Sequence, residues 1–460
     1  MTTMSNSAQT SAPATDRRTL LSLSRSVSDT SLLDFLRHCE GLPRVYFDND
    51  ELPSALAGGG VVACVSASGP GRFQSVQAQI ARFARGASAL ACDAPHEARA
   101  RWFGGFSFRS GHRTNGVWSH FPEAYFVLPR YQLTRWEGGA WLTVNGRRAD
   151  DESPPQAAQR LERLHRAFGA KLVSPHAPTP ARQELPDYAR DVVGQSDWQA
   201  LVERITTRIR TSALEKVVLA QARQLRFATA PDVLGVLDAL RRPYANCYRF
   251  LVEPQPGHAF FGAAPELLLS MNEDALETMA MASSTRRGAT SGEDRLLGER
   301  LMSSPKERHE HDVVVQSIKR RLGPLVQQLH CADEPHIVRF SNIQHLRTKV
   351  RARLKPQRGL FEVLQALHPT PAMGGTPRQV ALDVIERYEP FQRGWYASPV
   401  GWIDQEGNGT FAVAIRSAVS AGREVQLFAG AGIVTDSNPE KEWAEVQLKF
   451  RPIVEALGLA

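Results

Sequence analysis

Between residues 20 and 170 the chain sets short apolar runs between glycines and polar turns. The runs at 61–65, 102–108 and 124–129 have strand length and turn-type flanks, so each predicts a strand. Helical spacing takes over at 152–172, and a proline-rich polar stretch at 173–186 predicts a connection. In the second half, Leu201, Ile205 and Ile209 recur at helical spacing within 198–213. Strands are predicted at 216–227, and at 260–271 as two pieces around a bend at Pro265. A long helical stretch covers 296–329, broken near Ser304 and Pro305. The runs 411–419 and 425–434 predict the last strands. A final helix starts near Ser437, where Ser437 with Glu440 has the spacing of a capping box and Pro439 suits a first turn. Strands and helices do not alternate strictly, which points to an α+β fold rather than a doubly wound sheet. No repeat at solenoid period is present.

Composition sets the class. Of 460 residues, 42% are hydrophobic and 22% charged, enough apolar material for a large core. The formal charge of +7 suits either nucleic acid or a small anionic substrate. The basic residues are scattered, with acids beside the densest cluster (319–321), which argues against nucleic acid. Five cysteines (Cys39, Cys64, Cys92, Cys247, Cys331) lie far apart with no metal-type spacing, which predicts reduced thiols and a cytoplasmic protein. No apolar run reaches eighteen residues, so no membrane helix is expected. The expected organisation is a flexible tail at 1–18, an N-terminal portion at 19–185 and a catalytic region at 195–458, all in one large domain.

A few polar residues stand in apolar surroundings. Lys216 opens a strand and shares a face with Val218, Ala220 and Ala222. An amine stripped of water there is a candidate base, and a lysine snorkelling from a strand end is the plain alternative. Glu266 sits between Pro265 and three leucines, where burial would keep its carboxyl protonated as a general acid; a turn-capping role is the alternative. Glu307 and Glu310 are three apart, as are Glu442 and Glu445, so each pair shares one helix face. Two such faces meeting could hold a hard cation through oxygen, although either pair alone could be solvated surface. The triplet 309–311, His-Glu-His, lacks zinc spacing and its histidines point to different sides of a helix. Arg416 follows Ala412 and Ala414 on one strand face, leaving room for a carboxylate beside the guanidinium. Gly430 and Gly432 would let backbone amides approach an anion, but they complete no dinucleotide fingerprint.

Nine ordered blocks gather these residues: LEKVVLA, FFGAAPELLL, MASSTRRG, KERHEHDVVV, NIQHLRT, LHPTPAMGGTPR, RGWYASPVGW, FAVAIRSA and AGAGIVTDSNPEKEWAEVQLK. Together, over about 195–457, they resemble the chorismate-utilising enzymes, the family of isochorismate, salicylate and anthranilate synthases. The resemblance implies one large α+β domain with extensive sheets inside and helices outside. It implies Lys216 as the base that activates water and Glu266 as the acid that protonates the departing hydroxyl. Glu310 and Glu445 would hold magnesium, assisted by Glu307 and Glu442. His345 would lie beside the substrate ring. Arg416, Gly430 and Lys449 would hold the substrate carboxylates, Ser283 and Ser284 would cradle the ring carboxylate, and Ala372 would line the site.

A lysine at 216 favours water as nucleophile, and the blocks around Ala372 and Ser398 resemble isochorismate synthases, the menaquinone type in particular. Menaquinone or siderophore biosynthesis is the implied setting. Chorismate is the expected partner, with no nucleic acid, no membrane and no obligate glutaminase subunit; the oligomeric state stays open. The nearest rival is a salicylate synthase, and a rival of another class is a non-catalytic anion-binding or nucleic-acid-binding protein. Two positions depart from the family pattern. Ser283 and Ser398 each add a side chain where a glycine is usual, which bears on loop geometry.

Overall fold

The computed structural model describes residues 19–90, 94–173 and 185–459. The expected tail at 1–18 and most of the proline-rich connection at 173–186 lie outside the described residues. Among those residues the strands form two large sheets, one of thirteen strands and one of ten, with helices packed around them in an α+β arrangement. Every pairing is antiparallel except that of Leu20–Val27 with Ser88–Ala89. The two parts of the sequence share both sheets. Arg44–Asp48 pairs with Tyr248–Gln255 in the larger, and Trp102–Phe106 with Pro399–Ile403 in the smaller.

The chain changes sheet twice near one point. His258–Ala264 belongs to the larger sheet and Leu267–Asn272 to the smaller. Pro265 between them has no amide hydrogen for a ladder, so it fits where one sheet stops and the other begins. The return crossing lies between Gly409–Val413 in the smaller sheet and Ser417–Ala421 in the larger. The two crossings are tied together. Val413 N donates to Glu266 O at 3.0 Å, and Ala263 N donates to Arg416 O at 3.2 Å. Aromatic side chains fill the seam. Trp395 is fully buried against Phe121 and Phe260, its indole N–H donates to Pro122 O, and a Cβ at Gly105 would come within 2.8 Å of its ring. Fully burying one Phe-sized side chain stabilises the fold by roughly 1.5–3 kcal/mol.

Three sequence expectations change. The stretch read as helix to 329 ends at Leu322, and Val326–Cys331 is an edge strand. The single strand read at 411–419 is two, divided at the sheet crossing, so Arg416 does not share a strand face with Ala412 and Ala414. The final helix Pro439–Ala456 is capped by Asn438, whose side chain accepts from Lys441 N at 3.0 Å; Ser437 Oγ instead accepts from Val434 N. The break expected near Ser304 is real. It separates Ser291–Ser303 from Pro305–Leu322, with Ser304 as the N-cap of the second helix and Pro305 in its first turn.

Candidate active site

A cavity opens beside the two crossings, and every residue named from the sequence as a candidate lines it. The crossings supply Glu266 and Arg416. Glu266 is 2% exposed, and burial pushes its carboxyl up to about 8 against the opposing charges of Lys216 and Lys449. Arg416 is also buried, with a backbone φ of 49°, a left-handed conformation unusual outside glycine. Ser283 (φ 61°) and Ala397 (φ 62°) share that conformation. Ser283 and Arg416 line the cavity, and Ala397 follows the lining residue Tyr396. Such strain of about 1–3 kcal/mol per residue persists where the surroundings impose it.

Lys216 opens the strand Lys216–Arg226 and is buried at the cavity wall. Its Nζ donates to Glu310 Oε1 at 2.6 Å. A Cβ on Gly432 would stand 3.0 Å from Lys216 Cε, so the absent side chain at 432 leaves the lysine its place. Lys449 makes a parallel arrangement. Its Nζ bridges Glu445 Oε1 at 2.7 Å and Gly430 O at 2.8 Å.

The four acidic candidates come from the N-terminal halves of two helices, Pro305–Leu322 and Pro439–Ala456, where the helix dipole favours negative charge. Burial, then repulsion from Glu310, raises the Glu307 carboxyl. Burial, then Glu445, pushes Glu442 up to about 7. For Glu310, burial also acts to raise the carboxyl, but the charge and hydrogen bond of Lys216 outweigh it and the net direction is down. Four carboxylates on two helices supply hard oxygen donors, which fit a divalent cation chemically. Two of the four, Glu310 and Glu445, are each paired with a lysine. Among the described residues, the one trio with ligand atoms within 4.8 Å of one another is His96, Asp404 and Glu406, outside this cavity. Arg99 already meets Glu406 there at 3.1 Å.

His345 connects the loop and the arginine. Its ring nitrogens lie 3.3 Å from Ser283 O and 3.2 Å from Arg416 Nη2. Those partners select the tautomer in which Nδ1 donates and Nε2 accepts. Burial, then the charges of Arg416 and Lys449, hold this imidazole far below its usual value and neutral. Arg416 Nη1 is left buried without a hydrogen-bond partner. Arg416 as a residue lines the cavity, and a guanidinium on a cavity wall suits a carboxylate.

Ser283 is the extra residue of a bulge, set between the pairs Ala282–Leu346 and Ser284–His345. Its hydroxyl donates to Glu307 O at 2.8 Å, so it ties the loop to the acidic helix. Ser398 is buried, its hydroxyl lies 3.4 Å from Tyr396 O, and it does not line the cavity. The His-Glu-His triplet separates as expected. His311 is buried against Thr348 Oγ1 at 2.7 Å, while His309 is exposed. Sequence reasoning missed Lys306, Tyr396 and the space-making role of Gly432, all on the cavity wall. The Arg393–Glu389 pair behind that wall was missed as well.

Comparison with known proteins places this chain in a family. Residues 6–458 match the family described as chorismate binding enzyme, and the chain belongs to that family. It is 36% identical over 356 residues to the isochorismate synthase MenF of Bacillus subtilis, covering 77% of this chain and 74% of that protein. It is 37% identical to the salicylate biosynthesis isochorismate synthase of Pseudomonas aeruginosa, over 78% of this chain and 74% of that protein. Among solved structures, the menaquinone-specific isochorismate synthase MenF from Escherichia coli superposes with a TM-score of 0.79 at 28% identity, over 96% of this chain and 95% of that one. Anthranilate synthase component I from Streptococcus pneumoniae shares the fold at a TM-score of 0.67 and 18% identity, over 98% and 95% of the two chains.

Proposed function

We propose that this chain is an isochorismate synthase that converts chorismate to isochorismate with magnesium as cofactor. The observation that carries the reading is one cavity lined by a buried lysine, a buried carboxyl that keeps its proton at neutral pH and an arginine with an unfilled donor. Lys216 accepts a proton from water as its oxygen bonds to ring carbon 2. Glu266 gives its proton to the hydroxyl at carbon 4, which leaves as water while the ring double bonds shift. Arg416, held by His345, and Lys449 position the two substrate carboxylates. Lys216 donates to Glu310 in this structure, so that pair must separate and the ammonium must release its proton before the neutral amine can act as the base. Glu310 and Glu445, assisted by Glu307 and Glu442, would hold the cation. When bound, magnesium would supply positive charge that stabilises the ring carboxylate. The described cysteines are free thiols, which supports a reducing compartment, and we place the enzyme in the cytoplasm.

Incubating the protein with chorismate and magnesium and identifying the product tests this reading. Isochorismate should form, stop on chelation and resume when magnesium is restored. Lys216→Ala should still bind chorismate while turnover falls about 10²–10⁴-fold. Near-native turnover by that variant would remove Lys216 as the base, and full activity in excess chelator would remove the metal.

A further inference from the structure

The strand that carries Lys216 has a gap along its outer edge. Gly375–Thr376 covers Lys216 and Val217, and Tyr188–Asp191 covers 223–226. Val218 N still donates to Gly374 O at 3.0 Å, but Val218 O and Ala220 N point outward with no strand alongside. Two side chains fill the gap. Glu389 Oε1 accepts from Ala220 N at 2.8 Å, and Arg393 Nη2 donates to Val218 O at 2.7 Å. The two are bound to each other by Arg393 Nε to Glu389 Oε2 at 2.9 Å and Arg393 Nη2 to Glu389 Oε1 at 2.6 Å.

The same guanidinium reaches a second wall. Arg393 Nη1 donates to Met373 O at 3.0 Å, and Met373 and its neighbour Ala372 both line the cavity. Arg393 O in turn accepts from the amide of Tyr396, a third lining residue. The pair is 3% and 4% exposed, and the Arg393 guanidinium lies 4.3 Å from the Phe108 ring centroid. Dehydrating two charges offsets most of their attraction, so a pair this buried adds little net stability. What it supplies is direction, because the planar fork fixes several acceptors at once.

We infer that Arg393 and Glu389 are positioning residues. They replace a missing strand and fix the outer edge of the Lys216 strand to the adjoining Ala372–Met373 segment, so that Lys216 and that part of the cavity wall keep one relative placement. Neither side chain touches the reacting atoms. The role rests on the isochorismate synthase reading, since it matters only if Lys216 must meet a ring held in this cavity.

The test is steady-state kinetics of the full chain with magnesium and chorismate, alongside thermal melts. Arg393→Lys keeps the charge but cannot reach both carbonyls with a planar fork. It should melt close to wild type, keep its KM and lose kcat by about 10²-fold, the scale of a displacement near 1 Å. The double variant Glu389→Gln with Arg393→Met removes both charges, leaves neither uncompensated and should lose kcat in the same way. It decides the matter if Arg393→Lys does not fold. Native kcat in either folded variant overturns the proposal, as does a rise in KM with kcat intact, which would mean substrate binding rather than alignment. The wild-type control keeps the two readings apart: no isochorismate from wild type counts against the assigned reaction, whereas wild-type turnover with insensitive variants counts against the positioning role alone.

Discussion

In the proposed reaction the proton on Glu266 ties activity and stability to the same carboxyl. Its folded value of about 8 lies above the ordinary 4.5, so between those values the folded chain keeps a proton that the unfolded chain has released. Stability from this group is therefore fully present below about pH 4.5 and is lost as pH rises toward 8, at about 1.4 kcal/mol per pH unit. Glu266→Gln removes the penalty. Its melting temperature should exceed wild type by a few degrees at pH 8 and match it near pH 4.5, while kcat falls about 10²–10⁴-fold. Melts at the two pH values check the first claim, and equal differences at both would show that the carboxyl is not buried as a neutral acid. Wild-type kcat/KM should decline above about pH 8 as the acid loses its proton. The sequence displayed this residue plainly, because a glutamate between proline and three leucines leaves few places to go. It displayed Arg393 and Glu389 poorly. An acid and a base four apart read as an exposed helical pair, and only packing from distant segments makes them buried.

Elements show a related contrast. The two carboxylate helices were legible from spacing alone, and Ser304 with Pro305 marked one of their starts. The run 411–419 was misread because unbroken apolar character says strand without saying which sheet, and the exchange at 414–416 depends on partners far away in sequence. Ser283 is a bulge of the same tertiary origin. Its left-handed backbone would favour glycine, yet its hydroxyl donates to Glu307 O. The two contributions oppose each other, and substitutions separate them. Ser283→Ala keeps the strain and loses the hydrogen bond, so it should destabilise by about 1 kcal/mol. Ser283→Gly loses the bond but relieves the strain, and should fall within about 0.5 kcal/mol of wild type. Urea melts of the two variants read the difference; equal losses would mean the bulge carries no strain.

On the scale of the whole molecule, the site owes its rigidity to the paired crossings, because Glu266 and Arg416 are each held by the backbone of the other's segment. That rigidity bears on the product. Once water has added at carbon 2 and the carbon 4 hydroxyl has left, isochorismate still carries its enolpyruvyl group. Losing pyruvate requires the hydrogen on carbon 2 to transfer to that group while the bond at carbon 3 breaks. No further base is needed, so the outcome turns on whether the pocket holds the ring in the required conformer long enough. Here Ala372 and Met373 line the cavity beside the Lys216 strand, and Tyr396, also on the wall, stacks on Phe428 at 5.1 Å. These add no charge beyond those of Arg416 and Lys449, which in the proposed reaction hold the two carboxylates, and the Ser283 hydroxyl that could have reached toward the ring carboxylate is already engaged by Glu307 O. Isochorismate should therefore leave before elimination. With magnesium, chorismate and no isochorismatase, a coupled lactate dehydrogenase assay should show pyruvate no faster than the uncatalysed background, while isochorismate accumulates to equilibrium with chorismate. Pyruvate released in step with fluorescent salicylate would make the chain a salicylate synthase, with Lys216 and Glu266 in unchanged roles and the difference moved to how long the cavity retains the ring.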